Sequence, residues 1–323
     1  MKAAILTFHF ARNYGAVLQC YALQEFLRSR GHDVSVLDYR PSSVADGYKV
    51  LDLRRCVGRT PSRFVRKTRS EVLCYQTRKR RFAAFEQFLQ SHLRLAAPVD
   101  GGFDAVVCGS DQIWNTDICG GFDPYYWGDV PRGWGSRLIG YAASLENCVP
   151  DMAVAQEKLR NFSSASVREK KAAEALGLDL PACCDPVFLM DREFWSKLAD
   201  ESSVNIAKPY LFVYQVRYSD QFLGRVKDLA AARGLELVVL SAKVEQENSP
   251  CVAQAGPADF VKLIRDASVV MTNSFHGTAL SIIFGKEYYS PRMDDGKDSR
   301  VENLLRTGAD VKASVEFLKS CGL

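Results

Sequence analysis

The feature that most narrows the fold is an alternation met at the start of the chain. Lys2 to Phe8 is a short apolar run of strand type, and Ala11-Arg12-Asn13-Tyr14-Gly15 forms a turn. Ala16 to Arg30 then puts Val17, Leu18, Tyr21, Phe26 and Leu27 at helical core spacing, and Gly31 ends the helix. Asp33 to Asp38 is a second strand. Strand, helix and strand in that order make a βαβ unit, so the two strands lie parallel with a right-handed crossover. The pattern recurs at Phe103–Cys108, at Arg137–Ala143 and at Ser164–Glu169, where a short strand runs into a helix ending near Gly177. A polar stretch, Asp200 to Lys208, interrupts it. It restarts with strand Tyr210–Val216, helix Ser219–Arg233, strand Leu235–Leu240 and helix Ala258–Asp266. The chain of 323 residues is long enough for two domains. The expectation is an α/β protein with Rossmann-like domains over 1–200 and 201–323, facing a cleft that is the default ligand site.

In open α/β sheets, ligands sit at the carboxyl ends of the strands. Four strand-to-loop junctions therefore supply the candidate residues. Val269-Val270-Met271-Thr272 is apolar and β-branched, and leads through Asn273 and Ser274 into a helix stopped by Gly285. Ser274, His276 and Gly277 fall on that turn, where a helix N-terminus favours an anion; the alternative is that His276 only caps its helix. Asn13 and Gly15 let backbone approach a small anion or sugar, or form a plain turn. One glycine there, where a dinucleotide fingerprint needs three, argues against NAD or FAD. Gly109-Ser110-Asp111 follows a buried strand, and Asp111 is either a general base towards a sugar hydroxyl or bonded within its own turn. The aromatic loop Phe122 to Trp127 is a sugar platform or a packed loop. Arg168 ends another strand, a good place to clamp carboxylate or phosphate.

Charge is uneven. Arg54 to Arg81 holds eleven Lys or Arg against Glu71 alone, a net +10, which leaves −6 elsewhere in a chain of net +4. Nucleic acid is thus a poor partner. The basic helical segment, 54–94, has Phe64, Val65, Val72, Leu73, Phe82, Phe85, Phe88 and Leu89 at helical spacing. It is either a solvated face or, through 54–81, a peripheral contact with anionic lipid. Ten scattered cysteines with no C-x-x-C pair read as reduced thiols, and the N-terminus has no signal-peptide pattern. A cytoplasmic protein is expected, at most peripheral at the inner membrane face, with no metal site.

Five segments, in order, carry a resemblance: Asn13-Tyr14-Gly15-Ala16-Val17-Leu18-Gln19, Gly109-Ser110-Asp111-Gln112-Ile113-Trp114-Asn115, Tyr141-Ala142-Ala143-Ser144, Ser166-Val167-Arg168-Glu169 with Asp185-Pro186, and Thr272-Asn273-Ser274-Phe275-His276-Gly277. Together they resemble the polysaccharide pyruvyl transferase family over most of the chain. The resemblance implies a GT-B-like fold. It also implies transfer of a pyruvyl group from phosphoenolpyruvate, a donor substrate rather than a cofactor, to two hydroxyls of a saccharide, free or lipid-linked, as a ketal. His276 and Arg168 look like the family residues that meet phosphoenolpyruvate. Better-known members have arginine where this chain has Ser274; Arg300 or Lys286 is then a substitute cation. The readings to set against this are a GT-B glycosyltransferase using a nucleotide sugar, and a non-catalytic sugar- or anion-binding protein.

Overall fold

The computed structural model describes residues 1–50, 72–98, 101–131, 133–135, 137–217, 219–242, 252–291 and 299–323. The chain forms two compact α/β units, each built on a parallel sheet. Their division differs from 1–200 and 201–323. The first unit is Met1–Ala45, Leu89–Asp191 and Asp294–Leu323; the second is Asp46–Phe88 and Arg192–Met293.

In the first unit the strands are β1 (Lys2–Leu6), β2 (Asp33–Leu37), β3 (Leu95–Ala96), β4 (Ala105–Cys108), β5 (Leu138–Ala143) and β6 (Ser164–Val167). Their order is β3-β2-β1-β4-β5-β6, all parallel. The chain winds outward from β1 through β2, then returns to lay β4 on the other side of β1. That reversal opens the strand ends between β1 and β4 to a ligand. Helix α1 (Tyr14–Ser29) starts where Asn13 Oδ1 accepts the Gly15 N–H at 2.9 Å, and Gly31 at φ 85° ends the turn that follows it. β4 and β5 are buried at every residue, as parallel strands covered on both faces must be.

Two segments depart from the sequence reading. The C-terminal helix Val311–Ser320 belongs to the first unit, not the second. Ser314 Oγ accepts the Cys184 N–H at 2.7 Å, Phe317 meets the Tyr141 ring at 6.3 Å, and Arg137 donates to the Cys321 carbonyl at 2.9 Å. Residues 46–88 go with the second unit. There Arg81, 5% exposed, donates to the carbonyls of Ser241 and Ala253, each at 2.9 Å, and Arg78 is buried too. These two cations of the basic run face protein carbonyls rather than water or lipid. Within 54–94 the helix is Tyr75–His92; the other basic positions up to Arg69 lie outside the described residues.

The second unit's strands are β7 (Tyr210–Gln215), β8 (Glu236–Ser241), β9 (Val269–Thr272) and β10 (Glu287–Tyr289), in the order β10-β9-β7-β8. Leu211, Val213, Val239, Val269 and Met271 bury one face against Phe222, Val226 and Ala230 of the helix Asp220–Arg233. Phe212 and Tyr214, on the alternate face, meet Phe260 of the helix Pro257–Asp266. Among the described residues no helix is long and apolar enough to cross a membrane.

Candidate active site

In the first unit, the ends of three adjacent strands converge on one guanidinium. Arg168 follows β6 and is 6% exposed. Its Nη1 donates to Asp185 Oδ2 at 2.6 Å and its Nε to Glu169 Oε1 at 3.1 Å, while Nη2 lies 3.9 Å from Asp111 Oδ1 beyond β4. Burial works against the charge, but Glu169, Asp185 and Asp111 more than offset it, so the guanidinium is held above its ordinary range. Asp185 also accepts the Val187 N–H at 3.1 Å, which fixes the carboxylate that fixes Arg168. Ser144, just past β5, donates from Oγ to Glu169 Oε1 at 3.0 Å, and its N–H donates to the Asp111 carbonyl at 2.9 Å. Asp111 itself is at φ 72°, a left-handed backbone that costs about 1–3 kcal/mol for a residue with a side chain.

Of the predicted residues, Asp111 and Arg168 are thus brought together. Gly109 and Ser110 serve the sheet: Ser110 is fully buried and its Oγ donates to the Ala142 carbonyl at 2.8 Å, while its own carbonyl accepts from Thr7 Oγ1 at 2.8 Å. Asn13 caps α1. The aromatic loop is packed, with Tyr126 and Trp127 fully buried and Trp127 stacked on Trp114 at 5.5 Å. Glu169, Ser144 and Asp185 complete the cluster; they stand in the segments that carry the resemblance but were not among the predicted site residues. Glu169 occupies the N-cap of the helix Lys170–Leu176 yet makes no cap hydrogen bond. Its Oε2 is buried with no hydrogen-bond partner among the described residues. A missing cap costs about 0.5–2 kcal/mol and a buried unsatisfied acceptor about 1–3 kcal/mol.

Beside this cluster, at the ends of β1 and β2, fully buried His9 places Nε2 2.9 Å from Asp38 Oδ1, and Arg40 Nε donates to the same oxygen at 2.5 Å. The hydrogen bond to His9, with Arg40 beside it, holds the Asp38 carboxyl well below the usual carboxylate range. A depressed carboxylate stabilises the fold above its unfolded value, about 4, and loses that contribution as pH falls through the lower folded value. Asp38→Asn is therefore expected to lower thermal stability at pH 7 and to match wild type more closely in acid. The effect should not exceed about 1 kcal/mol, because the half-buried carboxylate is screened by water.

In the second unit, the turn from β9 into the helix Phe275–Ile283 uses most of its polar atoms to build itself. Thr272 Oγ1 donates to the Tyr214 carbonyl at 2.7 Å. Asn273 Oδ1 accepts the Val216 N–H at 2.8 Å, and its Nδ2 donates to the Arg217 carbonyl at 2.6 Å, pinning the loop after β7. Ser274 Oγ accepts the Gly277 N–H at 3.3 Å, so the residue that replaces the expected arginine is a helix cap. His276 is in the first turn, 5% exposed, edge-on to Phe275 at 5.1 Å. A Cβ on Gly277 would lie 2.6 Å from Thr272 Oγ1. Gly277→Ala is expected to push that hydroxyl off the Tyr214 carbonyl and cost about 1–3 kcal/mol, read as a lower melting temperature. Of the two substitute cations, Lys286 Nζ donates to the Arg265 carbonyl at 2.9 Å, and the side chain of Arg300, in the helix Ser299–Thr307, lies outside the described residues.

Comparison with known proteins bears on what such a site serves. Solved structures with similarity along the whole chain include the UDP-GlcNAc 2-epimerase of Neisseria meningitidis bound to UDP-GlcNAc (10% identity, 99% of this chain and 100% of that one, TM-score 0.45). They also include a glycosyltransferase from Streptomyces sp. SF2575 (15% identity, 98% and 90%, TM-score 0.36). No curated protein sequence matches. The family model described as polysaccharide pyruvyl transferase matches residues 13–287, which takes in the first-unit cluster and the His276 turn alike, and so the chain belongs to the polysaccharide pyruvyl transferase family, a family of transferases.

Proposed function

We propose that this transferase moves a pyruvyl group from phosphoenolpyruvate to two hydroxyls of a saccharide of the cell surface, or of its lipid-linked precursor. The observation that carries the reading is the family match over 13–287, with Asp111 and Arg168 meeting inside it. In the reaction the donor's methylene carbon takes a proton and becomes methyl. Its neighbouring carbon forms C–O bonds to two sugar oxygens and loses phosphate. Two hydroxyl protons are released; one balances the new methyl group and the other leaves with phosphate. Asp111, 11% exposed at its side chain, is the base for a hydroxyl. His276, at a helix N-terminus, binds the dianionic donor or protonates it. Ser274 and Gly277 shape that turn.

The test is incubation with phosphoenolpyruvate and a panel of saccharides, following phosphate release and the ketal methyl signal by NMR. Phosphate release that depends on both substrates is expected. Release of nucleotide from a nucleotide sugar, with phosphoenolpyruvate inert, would overturn the proposal. His276→Ala should lower kcat/KM about 10²–10⁴-fold; near wild-type transfer by that variant would remove His276 from the chemistry.

A further inference from the structure

We propose that Gln215, at the carboxyl end of β7 in the second unit, is a saccharide-binding residue whose side-chain amide holds two neighbouring hydroxyls, donating to one and accepting from the other. The inference rests on the pyruvyl-transfer reading for the class of ligand. It adds a subsite that the turn at His276 does not contain.

β7 lies between β9 and β8; the chain passes from β7 to β8 on one side and then returns to lay β9 on the other. Such a reversal opens the strand ends between β7 and β9 to a ligand. Gln215 is the last residue of β7 and pairs with Ser241 of β8. By strand alternation it follows Leu211 and Val213 on the face covered by the helix Asp220–Arg233, where the chain leaves the sheet for that helix. Val216, the next residue, is 38% exposed, so solvent is one residue away.

The groups around Gln215 have their hydrogen bonds already. Its own carbonyl accepts the Ala242 N–H at 3.0 Å. Thr272 Oγ1 is engaged by the Tyr214 carbonyl, and Asn273 holds the Val216 N–H and the Arg217 carbonyl. The Gln215 side chain is the exception. It is fully buried, and neither Oε1 nor Nε2 has a hydrogen-bond partner among the described residues. A whole amide left over in this way costs stability unless a bound group completes it. The loop beyond β7 is fixed by Asn273 without it, so the amide has no part in building the turn.

The residue type selects the ligand. An amide sets N–H donors and a carbonyl acceptor side by side. A carboxylate or a phosphate dianion brings acceptors only and leaves Oε1 stranded; an ammonium group brings donors only. A hydroxyl is both, and two hydroxyls on adjacent sugar carbons meet both atoms of the amide.

Gln215→Met keeps the length of the side chain and removes both polar atoms. Without substrate, the full-length variant is expected to melt about 2–4 °C above wild type, because an unsatisfied pair leaves the interior. Saturation-transfer NMR with methyl glycosides of galactose, glucose and mannose, without donor, should show binding by wild type and affinity about tenfold weaker in Gln215→Met. KM for the saccharide should rise with it, while calorimetric affinity for phosphoenolpyruvate stays within about twofold. A lower melting temperature would show that buried water already completes the amide, and would overturn the proposal. So would unchanged glycoside affinity, no glycoside binding by wild type, or affinity for phosphoenolpyruvate about tenfold weaker in the variant. Uridine binding that the variant loses, with glycosides inert, would overturn it in favour of a pyrimidine imide, which also offers a donor beside an acceptor. Glycoside binding that Gln215→Met weakens, with phosphoenolpyruvate inert, would leave the subsite standing and remove the pyruvyl reading alone.

Discussion

Arg168→Met is expected to lower the stability of the first unit by about 3–5 kcal/mol, the range for removing one partner of a buried ion pair. The methionine fills similar space, so packing changes little. What is lost is the guanidinium that faces Glu169, Asp185 and Asp111 at 3.1, 2.6 and 3.9 Å. The sign with pH follows from the guanidinium. Its folded value is raised above the ordinary one, so its contribution is fully present across the whole neutral range and is lost only in strong alkali. The deficit of the variant is therefore a property of neutral pH and not an alkaline effect. Thermal denaturation should show it as a fall of roughly 6–20 °C, at about 2–4 °C per kcal/mol. Arg168→Met combined with Asp185→Leu should be less unstable than the two single losses added, because it also removes the closest stranded carboxylate. Simple additivity in that cycle would mean that the 2.6 Å pair contributes nothing specific. Arg168→Lys should recover only part of the loss, since an ammonium cannot fork to three oxygens as a guanidinium does.

Much of the framework was legible because local rules and tertiary structure agree in it. Helix stops at Gly31, Gly177 and Gly285 are left-handed positions in the structure, as a glycine after an apolar-periodic run suggests. The fully buried strands β4, β5 and β7 are the uninterrupted apolar runs of the sequence. The placement of Asp111 and Arg168 at strand ends was readable from the same rule. Other features depend on partners far along the chain. The helix Val311–Ser320 has an apolar stripe, but nothing in a stripe tells which sheet it will cover, and its contacts at Cys184 and Arg137 are more than 120 residues away. Arg78 and Arg81 sit in a run whose composition suggests solvent, yet Arg81 reaches carbonyls 160 and 172 residues later. Ser274 looked like a ligand group because it is a polar residue at a strand end, with Asn273 beside it. They are engaged by Gly277, Val216 and Arg217, since a sharp strand-to-helix turn needs its own donors and acceptors satisfied first.

Gly109→Ala is the other change with a large expected effect, about 2–6 kcal/mol, although it adds a single methyl group. Gly109 ends β4 at φ 118°, a conformation that L side chains rarely adopt and that costs about 1–3 kcal/mol. An added Cβ would lie 2.2 Å from the Tyr141 carbonyl oxygen. That atom is backbone of β5 and cannot swing away, so β4 and β5 must part at their carboxyl ends, a further overpacking cost of about 1–3 kcal/mol. The bonds at risk include Gly109 N–H to the Leu6 carbonyl at 3.0 Å, Ser110 Oγ to Ala142, and Ser144 N–H to Asp111. Asp111 would thus be displaced from Arg168 by a residue that touches neither. Gly31→Ala is the matched control: it meets the same kind of positive φ, 85°, but nothing lies within 4 Å of the new Cβ. It should cost about 1–2 kcal/mol, from backbone conformation alone. The gap between the two melting temperatures then measures the close approach of β4 to β5. If Gly109→Ala were no less stable than Gly31→Ala, the strand ends that carry Asp111 and Ser144 would have room to spare, and the case that they are held in place for catalysis would lose its physical basis.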